Sequence, residues 1–265
     1  MEEIILPRAV LDKPEPLFDL QPRNRSSHRR LRLSLSYAVK PWVVLGQART
    51  PDGTELILTS HASEYVITAN RESLMSSRTH GSEDALAVLG CRRARTLPAP
   101  RVLVGGLGMG FTLRAALDVL PGTARVIVAE LVPAVVEWNR GPLGAAASYP
   151  LRDHRVRVDE RDVAATIATN PAAFDAVLLD VDNGPAAMTT ASNAALYSRE
   201  GVSRLRAALT PDGILALWSA RDESRFERTL REAGFQVIRE RVNTRSNKRG
   251  ARHTILVASI VGTLE

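Results

Sequence analysis

The pattern of apolar and polar positions changes period along this chain. From Arg101 onward short apolar runs, Arg101–Gly105, Ala124–Glu130, Arg155–Asp159, Asp175–Asp180 and Gly213–Trp218, alternate with segments of helical period. The helices are expected to start near Met109, Pro133, Asp162, Asn193 and Asp222, and Pro133 suits a first helical position. Such alternation predicts an open, mostly parallel sheet. The end of the chain differs: Phe235–Val242 and Thr254–Ile260 are two β runs around a basic loop with Gly250, which predicts a terminal antiparallel hairpin.

Upstream the period is shorter. Trp42-Val-Val-Leu45, Glu55–Thr59 and Glu64–Thr68 read as strands, with Pro51-Asp52-Gly53 as the first turn, so a small antiparallel sheet is expected there. Ser73–Leu89 reads as a helix. Residues 1–35, rich in Pro, Arg and Ser, carry little periodicity. The expected organisation is an irregular basic arm (1–35), a small β-rich domain (36–90) and a large α/β domain (91–265) with a seven-stranded, Rossmann-like sheet of the class I methyltransferase type.

Composition narrows the class. The 265 residues are 45% hydrophobic and 24% charged, the balance of a globular chain able to bury a large core. No apolar run approaches the roughly 18 residues a membrane span needs, and the opening Met-Glu-Glu-Ile-Ile-Leu-Pro lacks a signal-peptide core, so a cytoplasmic protein without membrane contact is expected. The single cysteine, Cys91, excludes an intrachain disulfide, and the Cys and His spacing offers no metal site. A net charge of +6 is concentrated at Arg23, Arg25, Arg29, Arg30 and Arg32 and again at Arg245, Lys248, Arg249 and Arg252. Neither cluster interleaves aromatics for base stacking, which favours solvated segments over a nucleic acid partner.

The glycine turn after the Arg101 strand is the most informative motif. Gly105-x4-Gly110-Phe111-Thr112 lacks the lysine that a nucleoside triphosphate loop places after its last glycine. Gly106, Gly108 and Gly110 follow G-x-G-x-G rather than the dinucleotide spacing G-x-G-x-x-G. This favours an adenosyl-sulfonium ligand such as S-adenosylmethionine, although a plain strand-to-helix connection would also use such glycines. In open α/β sheets ligands bind beyond the carboxyl ends of the strands, where Gly105–Gly110, Glu130, Asp162 and Asp180 with Asp182 all fall. Glu130 suits the ribose hydroxyls. Asp162 suits either the adenine amino group or a helix N-cap. Asp180-Val181-Asp182-Asn183-Gly184-Pro185 reads as the reaction centre, two carboxylates that bind an ammonium and accept its proton, or as an Asx-type turn.

Here the chain resembles spermidine synthase and its relatives, the polyamine aminopropyltransferases. The resemblance runs from about Trp42 to Trp218. It is carried by Val102-Leu-Val-Gly-Gly106, Glu130, Arg155-Val-Arg-Val158 with Asp162, Phe174–Asp180, and Leu196-Tyr-Ser198 leading to Leu209-Thr-Pro-Asp-Gly213. It implies aminopropyl transfer from decarboxylated S-adenosylmethionine to a small-molecule amine, a homodimer and no metal. Glu130 would then be the ribose acid, Asp162 the adenine-side acid and Asp180 the base. The chain departs from the family at three places. Gly108 stands where the family's Gly-Gly-Gly-Asp-Gly-Gly turn has its Asp, Asp180–Pro185 is shorter than Asp-Ser-Ser-Asp-Pro, and Thr79-His-Gly-Ser-Glu83 replaces Tyr-His-Glu. Methyl transfer from S-adenosylmethionine to a small molecule or RNA, and a non-catalytic nucleoside-binding homologue, are the alternatives.

Overall fold

The computed structural model describes residues 41–180, 195–220, 223–244 and 251–260. Asp182, the expected helix starts at Asn193 and Asp222, the N-terminal arginine cluster and Arg245, Lys248 and Arg249 lie outside the described residues.

Four strands, β1 (Val43–Arg49), β2 (Glu55–His61), β3 (Glu64–Ala69) and β4 (Glu72–Ser76), form an antiparallel sheet in sequence order. The reading of Ser73–Leu89 as one helix is corrected here. Its first residues pair with β3, Ile67 opposite Met75, and helix α1 spans only Gly81–Gly90. The β3–β4 turn is Asn70-Arg71, both at positive φ (48° and 71°). A two-residue turn of this hand usually announces itself by Asn-Gly, and an arginine in the second place hides it.

The large sheet is built from β5 (Arg101–Gly105), β6 (Arg125–Ala129), β7 (Val156–Asp159), β8 (Phe174–Leu179), β9 (Leu209–Ser219), β10 (Gln236–Asn243) and β11 (Arg252–Ser259). Its order is β10-β11-β9-β8-β5-β6-β7, as expected for seven strands closed by a C-terminal hairpin. Strands β5 to β9 pair in parallel, while β11 is antiparallel to both β9 and β10. Val102, Leu103 and Val104 are wholly buried because both faces of a parallel sheet are covered. Helices α1, α2 (Phe111–Val119) and α3 (Pro133–Arg140) cover the Val102 and Val104 face; α4 (Val163–Ala168), α5 (Arg199–Ala208) and α6 (Ser224–Glu232) cover the Leu103 face.

The four-stranded sheet joins the first of these layers through Leu56, Leu58 and Ile67. Gly46 on β1 leaves room for the Trp138 indole of α3, since a Cβ there would stand 2.8 Å from indole Cε2. The chain leaves β5 for β6 on one side while β8 flanks β5 on the other. The order in which strands are added thus reverses between β5 and β8, which still run parallel, and a cleft opens beyond their carboxyl ends.

Candidate functional site

The turn after β5 is shaped by three left-handed glycines, Gly106, Gly108 and Gly110 (φ 88°, 50° and 85°). Gly110 caps α2, and a Cβ on it would sit 3.0 Å from Asn139 Oδ1 and Pro150 Cγ. Asn139 Nδ2 donates to the Gly108 carbonyl at 2.9 Å and ties the turn to α3. Gly105 is packed beneath Val163, 2.8 Å from where its Cβ would stand.

Glu130 follows β6 and is buried. Its Oε2 accepts the Leu107 N–H and its Oε1 the Val132 N–H, each at 2.9 Å. Burial raises its pKa against the pull of these backbone donors. Asp162 caps α4, Oδ1 accepting the Ala164 N–H at 2.7 Å. Asp180 follows β8, and its N–H donates to the Gly105 carbonyl at 2.9 Å. Thr112 Oγ1 donates to Asp180 Oδ2 at 2.6 Å. Burial pushes the Asp180 carboxyl up to about 6 even so.

Two cavities meet here. The first is lined by Leu56, Leu74, Val132 and Val135 and by the polar groups of Gly106, Gly108, Glu130, Asp162 and Asp180. Thr50 and Asp52 of the β1–β2 hairpin tip reach its wall. The second is lined by Thr79, Glu83, Phe111, Asp180, Trp218 and His253. Gly108, Leu74, Met75 and Asp180 belong to both. Gly105 and Gly110 line neither and act by shaping the turn.

The second cavity is acidic. Burial, and then the charge of Asp180, push the Glu83 carboxyl up to about 7, although Ser82 Oγ donates to it at 2.6 Å. His253 faces the same space with its pKa lowered by burial, its Nδ1 3.1 Å from Ser82 Oγ. Trp218 meets His253 edge to face, 4.7 Å between ring centres. The placing of Glu83, Thr112, Met75, Trp218 and His253 is not contained in the motif reading, because each comes to Asp180 or to a cavity it lines only through the fold. Thr112, on the first turn of the helix that follows the glycines, carries the one local signal.

Among the described residues no group of three or more His, Cys, Asp or Glu side chains is placed to hold a metal. Among them, too, no helix is long and apolar enough to cross a membrane.

The chain thus has an α/β sheet of class I methyltransferase type, preceded by a four-stranded sheet and carrying an acid after each of three parallel strands, β6, β7 and β8, beside the glycine turn after β5. No family model matches the chain. Sequence similarity is found to polyamine aminopropyltransferase 2 of Streptomyces coelicolor, 34% identical over 163 residues, 58% of this chain and 28% of that protein. The polyamine aminopropyltransferase of Mycobacterium tuberculosis is 32% identical over 148 residues, 52% of this chain and 27% of that one. The matches thus span little more than a quarter of those relatives. The spermidine synthase of Thermotoga maritima has the same fold, with a TM-score of 0.66 at 18% identity over 83% of this chain and 74% of that one. A spermidine synthase in complex with the transition-state analogue AdoDATO aligns with a TM-score of 0.65 at 16% identity, over 83% and 73% of the two chains. Over about half its length the chain is similar in sequence to polyamine aminopropyltransferases, and it shares the fold of spermidine synthases.

Proposed function

We propose that the protein is a transferase that moves an aminopropyl group from decarboxylated S-adenosylmethionine to a small amine. The observation that carries this is the position of Asp180, among the described residues the one carboxylate common to a mostly apolar cavity and an acidic one. In this reading the adenosyl group occupies the first cavity, its ribose hydroxyls at Glu130 and its adenine near Asp162. Glu130 keeps lone pairs for the hydroxyls, since each oxygen accepts one backbone N–H. The acceptor enters the second cavity, where Glu83 and Asp180 favour a cation on an otherwise basic chain.

An amine must lose a proton before it can attack. Asp180, near pKa 6, is ionised at neutral pH and accepts that proton. The nitrogen then bonds to the carbon next to the sulfonium, the carbon–sulfur bond breaks, and methylthioadenosine leaves as a neutral thioether. Thr112 holds the base in place, and the rest of the rate comes from alignment and exclusion of water.

Gly108 favours a second reading, methyl transfer from S-adenosylmethionine. The resembled family has there an Asp for the donor's ammonium, whereas here the thioether of Met75 faces the gap, 3.1 Å from where a Cβ would stand. Incubation with each donor and a panel of diamines decides between them. Methylthioadenosine released with an amine acceptor supports aminopropyl transfer, S-adenosylhomocysteine supports methyl transfer, and tight methylthioadenosine binding with neither product identifies a non-catalytic homologue.

A further inference from the structure

The parallel register that opens the cleft at one end of the sheet sets arginines in a row at the other. Arg101, which begins β5, is in register with Arg125, which begins β6. On β7 Val156 is in register with Val126 and Arg157 with Ile127. Residues in register on parallel strands share a face, as do alternate residues along one strand. Arg101, Arg125 and Arg157 therefore stand together around Ile127. With His154 and Arg155 they line a groove of about 320 Å³.

These guanidinium groups are not equivalent. Arg155 is held by both oxygens of Asp153, at 2.9 and 2.7 Å, and donates to the Leu120 carbonyl. Arg101, Arg125 and Arg157 are exposed and have no ion-pair partner among the described residues. Three like charges on adjacent strands about 5 Å apart repel one another unless an anion lies between them.

We infer that this groove binds a compact oligophosphate, two or more phosphate groups in succession, as in inorganic tripolyphosphate or the tail of a nucleoside triphosphate. Guanidinium forks match phosphate oxygens in geometry and charge. A row across three strands spans about 10 Å, which suits a short phosphate chain. The groove is bounded by acids: Asp153 beside Arg155, and Asp175, which accepts the Arg101 N–H at 2.8 Å. Those carboxylates would repel a polymer running past in either direction. Of the two rings in the lining, Phe174 is wholly buried, which leaves His154 alone to stack a base and disfavours single-stranded nucleic acid. The groove is at the opposite end of the strands from the cleft, so its ligand and the nucleoside do not compete.

The test is calorimetric titration of the full chain with tripolyphosphate, orthophosphate and a twelve-residue oligouridylate at low salt. Variants R125Q and R157Q are compared with R228Q, which removes the same charge from an exposed place on α6. Saturable tripolyphosphate binding, weakened roughly tenfold by R125Q and by R157Q but not by R228Q, is expected. Methylthioadenosine affinity in R125Q should match the parent, which also shows that the variant is folded. Equal loss in R228Q, orthophosphate binding as tightly as tripolyphosphate, binding of the oligouridylate alone, or no saturable binding of tripolyphosphate would each overturn the inference.

Discussion

Glu83 makes stability depend on pH in a direction opposite to that of a surface carboxylate. Its pKa rises from an ordinary 4.5 to about 7 on folding, through burial and then the charge of Asp180. Between those two values the folded chain holds a proton that the unfolded chain has released, so the stability contributed by Glu83 is fully present below pH 4.5 and is lost as pH rises through 7. A displacement of this size corresponds to about 3 kcal/mol, and about 2 kcal/mol after allowance for solvent at the cavity mouth. Glu83→Gln is neutral throughout, and its amide oxygen can still accept the Ser82 hydroxyl. Urea unfolding followed by tryptophan fluorescence at pH 5 and pH 8, on parent and variant, isolates the effect. His253 titrates in both proteins and its contribution largely cancels in the difference, whereas Asp180 repels the Glu83 charge only in the parent, so the difference reports Glu83 together with that repulsion. The variant should lose about 2 kcal/mol less than the parent between the two pH values, and should be the more stable protein at pH 8. Parallel losses in the two proteins would refute the reasoning and place Glu83 in contact with bulk water.

Asp180→Asn should bind methylthioadenosine like the parent while turnover of the amine falls by roughly 10²–10⁴-fold, and the acid limb of the pH–rate profile, expected near 6, should disappear. Unchanged turnover would remove Asp180 from the proton transfer. Glu130→Gln leaves one of the Leu107 and Val132 N–H groups facing an amide NH₂, so it should cost about 1–3 kcal/mol in urea unfolding as well as weakening nucleoside binding. Parental stability together with parental affinity, by calorimetry, would contradict both roles. Gly108→Asp puts a side chain at φ 50° against the flexible Met75 thioether; a loss of about 1 kcal/mol is expected, with a shift of donor preference toward the ammonium-tailed, decarboxylated form. No shift of preference in a competition assay would mean that this turn does not face the donor's tail.

The parallel core was legible because its strands are uninterrupted apolar runs between glycine and acidic punctuation, a pattern that only two covered faces produce. Leu103 and Val104, neighbours in sequence, are both wholly buried, on opposite faces. Strand β4 was not legible: Leu74 and Met75 are adjacent apolar residues, and the turn before them lacks glycine. The acids after the strands could be read from position alone, whereas their partners could not. Asp180 receives Thr112 from 68 residues away and shares its second cavity with Glu83 and His253, one far upstream and one far downstream of it.

Glu130 shows how a position read from sequence can carry a second duty. Its place after β6 suggests a ribose acceptor and nothing more. In the fold, each oxygen first takes a backbone N–H, one from the glycine turn and one from the start of α3, so the carboxylate joins two segments before any ligand arrives. A buried carboxylate that bridges two backbone donors fixes the height of the turn above the cavity floor. On the proposed reading, the lone pairs left to it would meet the ribose from a rigid base. The turn's three left-handed glycines make that rigidity necessary, because residues free to occupy either hand of φ would otherwise lose the most conformational freedom on binding. One side chain thus couples the stability of the turn to the affinity of the cavity, and no substitution at Glu130 should alter one while leaving the other at its parental value.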